Sequence, residues 1–239
     1  MTVYPEDDRS ASDMESHNLV AKLSELARTA AAPASLDSVL AAVTASVVDI
    51  LPAADAAGIL LISTSGAFES RACTSELPHT LDLYQEKFGE GPCLEAAVDE
   101  LVVRTDDFRT DRRWPRYGPA AVEAGVLSGL SFKLYTSRRK AGALNIFAKH
   151  ANAFDAQAEA IGSALAAHAA AAIVASRNEE QLKSALMTRD IIGQAKGMIM
   201  ERYKSDAVRA FELLRQLSQD TNTPLVEIAQ QIVSAESPG

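Results

Sequence analysis

The chain has 239 residues, enough for one large or two modest domains, and its 47% hydrophobic content excludes global disorder. Two cysteines exclude a disulfide scaffold and fit a reducing cytoplasm. The net charge of −9 argues against wholesale nucleic-acid binding, yet residues 183–234 carry seven Lys and Arg against six Asp and Glu. A compact basic face can act there, because charges beyond about 10 Å are largely screened at 0.1 M salt.

Residues 1–16 read as a flexible tail, with Glu6, Asp7 and Asp8 where a secretory signal would be apolar. No apolar run approaches the roughly 18 residues of a membrane span, so no membrane association is expected. Leu19, Leu23 and Leu26 predict a helix over 17–32, ended by Pro33. Ser35 caps a second helix to about Leu51, with Leu36, Val39, Leu40, Val43 and Val47 at helical spacing. The run 57–63 predicts a buried strand, and 68–73 its hairpin partner. A helix over 81–88 follows, then the turn Gly89-Glu90-Gly91-Pro92 and a short helix over 93–98. A strand is predicted over 101–104, a charged loop with the sole Trp114 over 106–117, and a helical turn over 120–124. Two strands over 127–135 and 141–148 flank the basic hairpin Arg138-Arg139-Lys140. Asp155 caps a long Ala-rich helix that runs, with or without a break near 176–180, into the C-terminal segment. The pattern is α+β, a mainly antiparallel sheet flanked by helices.

Gly89-Glu90-Gly91-Pro92-Cys93, Asp111-Arg112-Arg113-Trp114-Pro115, Gly125-Val126 and Gly142-Ala143-Leu144-Asn145 stand in the order and spacing of a GAF domain. The chain resembles that family over about residues 35–175. The resemblance implies a small-molecule or redox sensor that dimerises through flanking helices. Phe88, Cys93, Trp114, Tyr117 and Phe132 are candidate pocket residues, with core packing as the alternative. Cys73 and Cys93 are either a redox pair or small buried hydrophobes. The four histidines have no metal-ligand spacing with them, so no metal site is expected. The sensed signal and any cofactor are left unnamed.

The C-terminal segment reads as three helices. Ser184–Tyr203 has Ile191, Ala195, Met198 and Ile199 on one side, and Gly193 and Gly197 share a face. Each mid-helix glycine costs roughly 1 kcal/mol against Ala, which suggests close approach by another backbone. Ser205 or Asp206 caps the next helix, with Ala207, Ala210, Phe211, Leu214 and Leu217 as its apolar stripe. Asn222 ends it in the left-handed conformation, and Thr223 with Pro224 opens the last helix. Arg189, Lys196 and Tyr203, seven apart, form a stripe near Arg202. Cations and an aromatic suit an RNA loop, where phosphates take the charges and an unstacked base takes the ring. Solvated helix charge is the alternative.

Ala195-Lys196-Gly197, Met198-Ile199-Met200, Ala210, Leu213-Leu214-Arg215 and Ile228-Ala229…Ile232-Val233 resemble an ANTAR domain over about 178–234. Together the two segments look like the GAF–ANTAR regulators of actinobacteria. That resemblance implies a 17–177 sensor and a 178–239 RNA-binding domain of three helices. It also implies a homodimer that binds tandem small hairpins to control transcription antitermination or translation. The expected RNA-binding residues are Lys196, Arg215, Arg189, Arg202 and Tyr203. No nucleophile–base–orienter set is legible, so no enzyme is expected. The alternatives are C-terminal helices that bind a protein, or a thiol-based reductase.

Overall fold

The computed structural model describes residues 35–63, 65–98, 101–134 and 141–235. The expected tail, the helix over 17–32 and the Arg138–Lys140 hairpin lie outside these residues. The chain divides into two compact units on either side of Ala175 and Ser176.

The first unit is a five-stranded antiparallel sheet between two layers of helices. Its elements are α1 (Leu36–Ile50), β1 (Ala56–Ile62), β2 (Phe68–Arg71), α2 (Glu76–Phe88), α3 (Pro92–Val98), β3 (Val102–Thr105), α4 (Tyr117–Glu123), β4 (Ser128–Lys133) and β5 (Ala141–Ala148). The order across the sheet is β2-β1-β5-β4-β3. Side chains alternate between its faces, as the pleat requires. Ile59, Leu130, Phe132, Leu144 and Ile146 meet α1 and the first part of α5 (Ala156–Tyr203). Leu60, Val103, Ala143 and Phe147 face the other way and pack with residues of α2, α3 and α4.

Ser35 caps α1 as expected, its side chain accepting from Ser38 N at 3.2 Å. The second helix starts at Glu76, five residues before the expected start, because Pro78 is tolerated in a first turn that needs no donor there. Gly89 ends it with φ +65°. Gly91, at φ +144°, has no room for a side chain: a Cβ would stand 2.5 Å from Gln85 Oε1.

The long helix α5 is continuous for 48 residues, and the division between the units falls inside it. By length and composition it is apolar enough to cross a membrane, contrary to the expectation from the apolar runs alone. Leu165, Ala166, Ala169, Ala170 and Ile173 explain that composition, since they are buried in the first sheet core.

In the second unit the end of α5 packs with α6 (Ala207–Thr221) and α7 (Leu225–Ala235). The core is thin: Ala195, Ile199, Ala210, Leu214, Ile228 and Ala229 are its buried residues. Asp206 is the cap of α6, accepting from Arg209 N at 2.8 Å, and Asn222 ends the helix at φ +51°. Two expectations need correction. The Thr223 hydroxyl does not cap α7 but donates to the Thr221 carbonyl, while Pro224 O accepts the first helical N–H groups. A Cβ on Gly193 or Gly197 would meet nothing within 4 Å, so no close backbone approach explains them in this chain.

Candidate functional site

At the C-terminal unit, the last turns of α5 and the facing side of α6 leave an open groove of about 720 Å³. Ile199, Leu213, Leu214 and Leu217 give it an apolar floor, with Ile232 of α7 at its end. Arg202 and Tyr203 of α5 and Arg209, Gln216 and Asp220 of α6 also line it. Tyr203 is 66% exposed, so its ring is not spent on helix packing. Arg209 also reaches Glu212 at 3.3 Å, an exposed pair that holds it only weakly.

The expected RNA-binding residues therefore separate. Arg202 and Tyr203 come together at the groove, joined by Arg209, which in sequence reads only as a surface charge. Arg189 and Arg215 are exposed but outside the groove lining, and Lys196 is partly buried rather than fully exposed. The signal that could have found Arg209 is spacing: Arg202 and Arg209 are seven apart, but a helix end intervenes at Lys204, whose φ is +47°.

In the first unit, Cys93, Trp114 and Tyr117 share one buried cluster, with Phe88 against it. Trp114 and Tyr117 meet edge to face at 6.4 Å, and Phe108, not singled out from sequence, packs on both. Phe132 does not belong with them. It lies in the cluster on the opposite face of the sheet, because its pleat parity matches Leu130. The motif around 89–93 meets the one around 111–115 through Glu90. The Glu90 carboxylate accepts from the backbone of Arg116 at 2.6 Å and of Tyr117 at 2.9 Å. Burial opposes its charge, but these N–H groups and the Arg116 guanidinium hold it below its ordinary range. Arg113 lies 4.3 Å over the Trp114 ring and donates to Asp111 at 2.6 Å.

Burial disfavours the thiolate at both cysteines. Burial, followed by the charge of Asp82, pushes the fully buried Cys93 far up. Burial, then Asp82 and Glu76, pushes Cys73 up to about 11. A thiolate is the reactive form, and these environments favour the thiol. Among the described residues no three His, Cys, Asp or Glu side chains are placed to hold a metal ion.

An antiparallel sheet between helix layers, followed by a small helical module, defines an α+β domain with a separate helical unit. Residues 33–174 match the GAF domain family, and residues 180–233 match the ANTAR domain. The chain belongs to the GAF domain family and carries a C-terminal ANTAR domain. Its fold is similar to the GAF domain of a phosphoenolpyruvate-protein phosphotransferase from Coxiella burnetii, at 22% identity and TM-score 0.54, covering 69% of this chain and 98% of that one. It is also similar to the free methionine-R-sulfoxide reductase of Neisseria meningitidis, solved in complex with its substrate. That match has 17% identity and TM-score 0.51 over 75% of this chain and 98% of that one. At such identities the likeness concerns the fold alone. No curated protein matches the chain.

Proposed function

We propose that the protein is a cytoplasmic, signal-responsive regulator of the kind found in actinobacteria. Its ANTAR domain binds tandem RNA hairpins to control antitermination or translation, and its GAF domain senses a small-molecule or redox signal. The observation that carries this reading is the groove within the ANTAR match. It combines two guanidinium groups, an exposed tyrosine ring and an apolar floor. Guanidinium groups take phosphates, and an aromatic ring takes an unstacked base. Lys196 and Arg189 on α5 and Arg215 on α6 are further cations on the same two helices, outside the groove lining.

A homodimer supplies two such sites and raises their effective concentration on a paired-hairpin target. Leu182, Leu186 and Met187 support it, being exposed apolar side chains on α5. In the sensor, Phe88, Cys93, Trp114 and Tyr117 are the side chains around which a signal would act, through a shift between two packings. Crosslinking the protein to RNA in cells and sequencing the bound fragments tests the function. Enrichment of tandem hairpins supports it. Recovery of a protein partner that survives RNase, with no RNA enrichment, favours protein binding by the same helices instead.

A further inference from the structure

The sensor domain buries a carboxyl group that RNA binding does not use. Asp82 on α2 is 2% exposed and points at the sheet. Both its hydrogen-bond partners are neutral. Ser70 Oγ on β2 donates to Oδ2 at 2.7 Å, and Asn145 Nδ2 on β5 reaches Oδ1 at 3.5 Å. Ser131 Oγ on β4 donates to Asn145 Oδ1 at 2.8 Å, so a polar chain runs from β4 through β5 to α2 and on to β2. Ser131 and Asn145 are direct partners in the β4–β5 register. The helix lies close over this part of the sheet: a Cβ on Gly58, which pairs with Asn145, would stand 2.7 Å from Pro78 Cβ. Ser70 also lines an open surface pocket of about 490 Å³ with Cys73, Ser75, Glu76 and His79. The serine hydroxyl thus stands between solvent and the buried carboxyl.

We propose that Asp82 is a proton-operated latch between α2 and the sheet. Neutral, the carboxyl lies in the core without the cost of burying a charge, and α2 stays packed over β2 and β5 with Ser70 and Asn145 still reaching its oxygens. Ionised, it places an anion with a single strong hydrogen bond in apolar surroundings, and that cost falls when α2 loosens. One proton passes between solvent and the carboxyl, and no other group need change.

The ionisable groups facing Asp82 do not cancel this. Cys93 from α3 and Tyr117 from α4 are held neutral by burial, with Asp82 itself the next cause. Cys73, after β2, is neutral for the same reasons. Glu76 and His79 lie on α2 itself, and His79 favours the ionised form. Burial raises Asp82 to about 6 against the opposing effects of Ser70 and His79. An unfolded Asp titrates near 3.9, so the closed state keeps a proton that the opened state gives up. Closure is therefore favoured at low pH and weakens as pH rises from about 4 to about 6.

The test is hydrogen exchange of the α2 amides in the full chain, corrected for intrinsic rates, with Trp114 emission as a second readout. Between pH 5 and 7.5 the opening equilibrium should rise about tenfold, as follows from the linkage relation for a midpoint near 6. Histidine is the other side chain that changes charge in this window, so His79→Gln is the control and should keep the effect. Asp82→Asn should abolish it. The same pH dependence in Asp82→Asn, or none in the parent, overturns the proposal. If Asp82→Asn does not fold, Ser70→Ala decides: loss of the donor should move the midpoint upward, and an unmoved midpoint overturns the latch. None of these outcomes depends on RNA binding.

Discussion

Gly162→Ala isolates how tightly α5 fits on the sheet. Alanine in a helix is better than glycine by about 1 kcal/mol. At Gly162, however, the new Cβ would stand 2.4 Å from Phe132 Cζ, 2.5 Å from Cε2 and 3.3 Å from Ile146 Cδ1. Phe132 is 1% exposed, so its ring has nowhere to retreat without moving the helix. Overpacking of this kind costs typically about 1–3 kcal/mol, and the net expectation is a loss of up to about 2 kcal/mol once the propensity gain is subtracted. Gly193→Ala and Gly197→Ala carry the same propensity gain and no clash, so each should stabilise the C-terminal unit by up to about 1 kcal/mol. Urea titrations separate the two units. Trp114, the only tryptophan, reports the sensor, and far-UV circular dichroism reports both. A Gly162→Ala that stabilises as much as the changes at the two open glycines would refute the packing argument. Destabilising Gly193→Ala and Gly197→Ala would mean that their face is covered in solution.

The C-terminal unit should respond sharply to single substitutions because its core is small. Leu214→Ala, at a site 1% exposed, should cost about 2–4 kcal/mol. Circular dichroism should show loss of the C-terminal transition alone. Asp206→Ala removes the α6 cap and should lower stability by about 1 kcal/mol in the same assay. Native thiol labelling should be slow at Cys73 and undetectable at Cys93 until urea opens the sensor. Rapid labelling of Cys93 in the native protein would contradict its burial.

Much of the fold is legible in the sequence because local signals agree. The caps Asp206 and Asn222, the strand alternation and the Gly89–Cys93 turn each act through residues close in sequence. The misassigned features depend on what lies across the fold. Phe132 reads as one more aromatic, and only its pleat parity with Leu130 puts it on the other face of the sheet. Gly162, Gly193 and Gly197 look alike in sequence, yet the first is jammed against a ring and the others are open. A lone Asp82 in a helix reads as solvated, because nothing nearby in sequence announces Ser70 or Asn145. Arg209 reads as an ordinary surface charge, since its partner at the groove, Arg202, sits on a different helix.

The central claim is that the C-terminal unit binds RNA through the groove and its cationic flanks. Fluorescence anisotropy with a tandem-hairpin RNA, titrated at several salt concentrations, tests it most directly. Tyr203→Ala should weaken binding to looped hairpins more than to duplex RNA, because stacking needs an unpaired base. Lys196→Ala should weaken binding across sequences and flatten the salt dependence by about one unit of slope for each phosphate it no longer neutralises. A chain ending at residue 182 should not bind. Binding by that truncated chain equal to the full protein would contradict the account.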